Sequence, residues 1–140
     1  MGKNYWSFET FRDGFRTVWK DYQIVAMEYL WDVGDEGAGS GKCWEATNLV
    51  LKEKEQSISR ASIIFFLNAM VDEGVLKYVE RTGKGGHHRI YRPAFSETVF
   101  KEYLVKRIIS KLIQEFPDAT QTVLGKQKVS FFNKLFKLED

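Results

Sequence analysis

One stretch restricts the fold more than any other. In "SISRASIIFFLNAMVDEGVL", Ser57 to Leu76, a helix carries both its start and its stop signal. Ser59 supplies an oxygen where an N-cap is wanted, and Ile63, Phe66, Leu67, Met70 and Val71 recur at helical spacing. Gly74 then falls where a left-handed C-terminal residue is favoured, so the spacing predicts a helix from Arg60 to Glu73. The period changes at once beyond it. In "VLKYVERTGKGGHHRIYRP" the apolar Leu76, Tyr78 or Val79, Ile90 and Tyr91 flank a central "TGKGG", the pattern of a β-hairpin with a glycine-rich tip. Pro93 closes its second strand.

The rest of the chain reads as helix. Only two prolines, Pro93 and Pro117, interrupt it, so a mainly α protein with one small hairpin is expected. Phe8, Phe11, Phe15, Val18, Trp19 and Tyr22 step by threes and fours, which predicts an amphipathic helix from a Ser7 N-cap with Glu9 in its first turn, weakened at Gly14 by ~1 kcal/mol. Asp21 is read as the cap of a second helix whose Ile24, Met27, Leu30 and Trp31 share a face. The glycine-rich "GDEGAGSGKCW", Gly34 to Trp44, should end it as a flexible connector. A short helix over "WEATNLVLKEKE" follows, with Trp44, Leu49 and Val50 as its apolar positions. From Ser96 to Phe116 a long helix spreads Val99, Tyr103, Leu104, Ile108, Leu112, Ile113 and Phe116 over a wide face. Pro117 and Asp118 then turn the chain into one or two further helices. Three regions result: a helical extension over residues 1–20, a central domain over 21–95 and a helical region over 96–140.

Several function classes are set aside by composition and motif. With 140 residues, 44 % hydrophobic and 29 % charged, the chain can bury a real core and is not disordered in general. The longest nearly apolar run, "IIFFLNAMV", is far short of the ~20 residues a membrane span needs, and "MGKNYWSFE" lacks a signal peptide's charged head and apolar stretch, so a cytoplasmic, membrane-free protein is expected. The single cysteine, Cys43, has only Lys42 beside it to lower its pKa and reads as a packed side chain. Gly41-Lys42 resembles part of a phosphate-binding loop, G-x-x-x-x-G-K-[ST]. Glu36 stands at the first glycine position, however, and Cys43 at the hydroxyl position. Neither a Ser-His-Asp nor a Cys-His grouping stands out. His87 and His88, as strand neighbours, point to opposite faces and form a poor chelating pair. No catalytic residue, metal or cofactor is expected.

Charge is concentrated instead. Between Lys77 and Arg92 five basic side chains (Lys77, Arg81, Lys84, Arg89, Arg92) face one acid, Glu80, a surplus of four in a chain whose net charge is only +2. Helix, helix, helix and hairpin in that order is the plan of a winged helix-turn-helix, whose third helix enters the major groove while the hairpin wing touches backbone phosphates. A hairpin that uses charge only to prevent edge pairing is the alternative.

Here the chain resembles a known family. "AMVDEGVLKYVERTGKGGHHRIYRPAFSETVFKEYLVKRII" is similar to the corresponding stretch of the penicillinase-repressor (BlaI/MecI-type) winged-helix regulators, which share a "LxxLVxKGLLxRxxxGRxxxYRPxxSxxE"-like run. The likeness extends from Ile24 to Phe116. Its most specific parts are Tyr91-Arg92-Pro93 followed by Ser96, and Asp72-Glu73-Gly74 before the wing. It implies a homodimer on an operator, with the helices after the wing forming the subunit interface. It also implies that Ser59, Arg60 and Ser62 face the groove and that Arg81, Lys84 and Arg89 serve the wing. Lys77 belongs to the same basic hairpin, and the imidazoles of His87 and His88 can donate to phosphates near its tip.

The chain also departs from that family. Ile64 and Phe65 occupy recognition-helix places commonly polar or basic there, and Phe65 lies nearly opposite Ile63 on the helical wheel. Three roles are open to it: contact with a thymine methyl, packing under the added N-terminal helix, or a protein-binding surface. In the last third, Tyr103, Val105, Ile109, Leu112 and Phe116, with Val99 before them and Phe131, Phe132, Leu135 and Phe136 after, exceed one buried stripe and predict a second chain. The expectation is a homodimeric regulator, acting as a repressor, on a palindromic double-stranded DNA site; the competing class is a winged helix used for protein contact within transcription machinery. Any small-molecule effector is left open.

Overall fold

The computed structural model describes residues 5–136. The chain divides after Ser96 into two compact units. In the first, α1 (Asp21–Val33), a two-residue strand β1 (Ala38–Gly39), α2 (Ser40–Leu51), α3 (Arg60–Asp72), β2 (Leu76–Gly83) and β3 (Gly86–Pro93) follow in order. The second holds α4 (Glu97–Glu115), α5 (Pro117–Leu124) and α6 (Lys126–Phe136). The protein is mainly helical with a small antiparallel sheet in the order β1-β3-β2.

The helix read most firmly from sequence ends within a residue of expectation, for the reasons its residues suggest. Ser59 Oγ accepts from the Ser62 amide at 3.1 Å, capping α3. At the other end the Val75 amide reaches Met70 O at 2.9 Å and the Gly74 amide reaches Val71 O at 3.0 Å, a paired Schellman closure around Gly74. The hairpin runs in unbroken register from Leu76 opposite Pro93 to Gly83 opposite Gly86, leaving Lys84-Gly85 at the tip.

Other expectations are corrected. Among residues 5–20 there is no α-helix, only a 3-10 turn at Gly14–Thr17. Gly14 takes φ +56°, which breaks the helical run. The aromatic side chains gain more from a cluster than from one helical stripe: Trp19 lies 5.9 Å from Trp6, 5.6 Å from Phe15, 6.2 Å from Trp31 and 5.9 Å from Phe66. Phe66 also meets Tyr5 and Tyr22 edge-on at 6.0 and 6.1 Å. Phe8 and Phe11 stay exposed. The segment is an aromatic strap over α1 and α3, each ring pair contributing about 0.5–1.5 kcal/mol beyond its buried area.

The N-cap of α1 is Lys20, with Asp21 the first helical residue. Gly34 to Trp44 is not a flexible connector: it holds a 3-10 turn at Gly34–Glu36, strand β1, and the first turn of α2. Gly37, at φ +70°, lies so close to β3 that a Cβ there would stand 2.6 Å from Tyr91 O. In α2 the inward positions are Cys43, Thr47 and Leu51, while Leu49 and Val50 face solvent, one helical step from the face first assigned. The core of this unit joins those residues to Met27 and Leu30 of α1, Ile63, Phe66, Leu67 and Met70 of α3, and Leu76 and Tyr91 of the hairpin.

Within the second unit Pro117 takes the first position of α5. Thr120 Oγ1 closes the corner by donating to Leu112 O at 3.0 Å and Phe116 O at 2.6 Å.

Candidate nucleic-acid interface

What aims α3 is the turn before it. Asn48 on α2 holds Ile58 at both backbone groups, accepting from its amide at 2.8 Å and donating to its carbonyl at 3.1 Å. Trp44 Nε1 donates to the same carbonyl at 2.8 Å. The sequence signal for this role is slight, an Asn and a Trp one turn apart on the helix before α3.

On α3, Ala61, Phe65, Asn68 and Asp72 fall along one side, with Ile64 beside them. Phe65 is 60 % exposed, while Asn68 and Ile64 are half-buried. Of the serines assigned to the groove, Ser59 is occupied by the cap, and its hydroxyl also donates to Ser62 Oγ at 2.9 Å. Arg60 is exposed and leans toward the start of α2: a Cβ at Gly41 would lie 3.3 Å from its Nη2. The glycine there makes room for the guanidinium beside the first turn of α2, whose amides are themselves partly positive.

The strand register sorts the hairpin's cations onto two faces. Tyr78, Glu80 and Thr82 stand opposite Tyr91, Arg89 and His87, and share the face that meets α3. Lys77, Val79 and Arg81 stand opposite Arg92, Ile90 and His88 on the other face. Every residue from Lys77 to His88 is exposed, so Lys77, Arg81, Lys84, His87 and His88 all reach solvent, but of these only His87 shares the face of Arg89. His87 Nδ1 lies 3.2 Å from Thr82 Oγ1 across the ladder.

Arg89 lies on the hairpin, and its guanidinium turns toward α3. Its Nη1 donates to Asn68 Oδ1 at 3.0 Å, and its guanidinium carbon lies 3.9 Å from the Tyr78 ring centroid. The Tyr91 hydroxyl donates to the same Asn68 oxygen at 2.6 Å. Burial raises the Tyr91 pKa above 10.0, opposed by the nearby Arg89 charge, so the hydroxyl remains a donor. These four side chains tie the hairpin to α3.

A cavity of about 910 Å³ lies between the aromatic strap and the start of α3, with Trp6, Trp19, Gln56, Ser57, Ser62 and Phe65 among its walls. The thiol of Cys43 is enclosed elsewhere, its pKa pushed by burial up to about 11, against a hydrogen bond with Thr47 that lowers it.

In the second unit Val99, Leu112, Phe116 and Leu135 are exposed, while Tyr103, Ile109, Phe132 and Phe136 are half-buried. Phe132 packs on Phe136 at 5.4 Å, Lys106 Nζ sits 4.6 Å from the Phe136 ring, and Tyr103 stacks on Phe100 at 5.8 Å. Along α4, Val105, Ile109, Leu112 and Phe116 alternate steps of four and three, the spacing of a helix seam.

Among the described residues no three His, Cys, Asp or Glu side chains gather as a metal site needs, and no helix is long and apolar enough to cross a membrane. Compared with known proteins, the chain significantly matches no family model, no curated protein and no solved structure.

Proposed function

We propose that this chain is a winged-helix DNA-binding regulator, acting in the cytoplasm as a repressor and pairing with a second copy through α4 to α6. The arrangement of the first unit supports it. Three helices are followed by a hairpin, and a short strand between the first two helices pairs with the hairpin's return strand. The observation that carries the reading is a basic hairpin, exposed from Lys77 to His88, anchored by its base to an N-capped helix. Lys77, Arg81 and Lys84 suit phosphate oxygens, and Arg60 beside the first turn of α2 adds a second cationic contact of the kind helix starts make. Paired copies would set two α3 helices on successive turns of an inverted repeat.

Binding to mixed duplexes should then fall steeply with salt. Replacing Lys77, Arg81 and Lys84 by Gln should reduce the log–log slope by roughly one for each lost phosphate contact and weaken all sequences alike. Absence of binding at low salt, or a slope of zero, refutes the reading.

One observation favours a second reading. The exposed side of α3 carries Phe65 and Ile64 and no cation beyond Arg60, which suits an apolar protein partner. Phe65→Asp separates the two: partner assembly lost with DNA binding intact supports protein contact, whereas DNA binding lost supports the groove.

A further inference from the structure

The junction of α3 and the hairpin is chemically one-sided. Asn68 Oδ1 receives two donors, Arg89 Nη1 and the Tyr91 hydroxyl, which fill both of its lone pairs. That fixes the amide's orientation, because turning it over would set its NH2 group against a guanidinium that cannot accept. The Asn68 Nδ2 group therefore points away from Arg89, and no other side-chain partner of Asn68 occurs among the described residues. Arg89 is held just as firmly by its stack on Tyr78, with only Nη1 used by Asn68. Both residues are half-buried and reachable, and Asn68 lies on the same side of α3 as the exposed Phe65.

What Asn68 and Arg89 leave free for an incoming edge are donors only, with the Glu80 carboxylate standing opposite Arg89 beside them. In the major groove guanine offers two adjacent acceptors, N7 and O6, whereas adenine pairs its N7 acceptor with an amino donor. The familiar asparagine contact to adenine needs the amide oxygen, which Arg89 and Tyr91 already occupy. We infer that Asn68 and Arg89 together form a guanine-reading site, one in each half of the bound duplex. This rests on the DNA-binding reading above and gives it a base. Phosphate also accepts only, but Asn68 projects from the helix side expected to face base edges, one turn from a ring suited to a thymine methyl. The arrangement thus assigns Arg89 to sequence discrimination and leaves the phosphates to Lys77, Arg81 and Lys84.

The test uses the full chain and the duplex it recovers from a randomised pool. Each guanine in that duplex is replaced in turn by 7-deazaguanine, which keeps Watson–Crick pairing and removes only N7. The wild-type chain should lose roughly tenfold in affinity at one position per half-site, and Arg89→Ala should be indifferent to the change at that position. Arg89→Lys keeps the charge but loses the planar fork, and should behave as Arg89→Ala does in discrimination while folding normally. Equal sensitivity of wild type and both variants overturns the site. So does wild-type indifference at every guanine. A uniform loss on all duplexes with a shallower salt slope assigns Arg89 to phosphate and also overturns it. Failure of the wild type to bind any duplex defeats the DNA reading itself, a result distinct from these three.

Discussion

Gly34 and Gly37 form a natural matched pair for measuring what holds the short strand β1 against the hairpin. Both have positive φ, +64° and +70°, so an alanine at either bears a backbone cost of about 1–3 kcal/mol. Their surroundings differ. Nothing lies within 4 Å of a Cβ added at Gly34, whereas at Gly37 it would stand 2.6 Å from Tyr91 O and 3.0 Å from Ile90 Cγ2. The obstructing oxygen is backbone and cannot swing aside. Relief requires β1 and β3 to separate beside the Ala38 and Tyr91 pair, or the core around the buried Tyr91 ring to shift. Overpacking of that kind costs about 1–3 kcal/mol. Gly37→Ala should therefore lose about 2 kcal/mol more than Gly34→Ala. In urea, with a slope of about 1–3 kcal/mol per molar, the difference appears as a midpoint lower by roughly 1 M. Equal midpoints for the two variants would falsify the claim that close approach, rather than φ alone, requires glycine at position 37.

Other perturbations are simpler to read. Ser59→Ala removes the cap of α3 and should cost about 1 kcal/mol in chemical denaturation, with a compensating Ser59→Asp close to wild type; a loss no larger than an exposed mid-helix substitution would show the cap to be idle. Cys43 keeps its proton more tightly when folded, its pKa moving from 9.0 to about 11, so its share of stability is complete below pH 9.0 and is lost as pH rises through about 11. Tyr22 and Tyr91 are raised for the same reason and act in the same direction above their usual 10.0. Urea midpoints should fall across that window, less so in Cys43→Ala, and a thiol reagent at neutral pH should label the folded protein only as fast as it unfolds. Asn48→Ala frees the Ile58 amide, while Trp44 still holds the carbonyl, and should cost about 1–3 kcal/mol; on the proposed reading DNA affinity should fall further than stability, because α3 is misaimed.

How much of this was legible follows from the range of the interactions involved. The ends of α3 and the hairpin register come from residues close in sequence, Ser59 with Ser62 and Val75 with Met70, so their signals are local and survive without tertiary knowledge. The spacing from Phe8 to Tyr22 is helical, and it takes Trp31 of α1 and Phe66, more than forty residues away, to draw the rings into a cluster instead. Strand β1 carries no strand signal at all: two residues, Ala38 and Gly39, are recruited by an open edge of β3. The faces of the hairpin were legible in principle, since alternation is strict along a strand. Pooling its cations by composition hid the fact that Arg89 belongs with Asn68 and Tyr78.

That separation has a consequence for how the proposed activity would be distributed. The exposed side of α3 brings Ala61, Phe65, Asn68 and the acidic Asp72, so it adds no net attraction to a phosphate backbone. Electrostatic affinity must then come from the hairpin's far face and tip and from Arg60, groups that read no sequence. Discrimination is left to a few short-range contacts at Phe65, Asn68 and Arg89, each sensitive to a shift of an ångström or less in α3. The bonds from Asn48 and Trp44 to Ile58, and from Asn68 to Arg89 and Tyr91, fix the helix at both ends against such shifts. On the proposed reading, changes at those positioning residues should erode the ratio of specific to non-specific binding while leaving the salt slope intact, the reverse of what removing Lys77, Arg81 and Lys84 does.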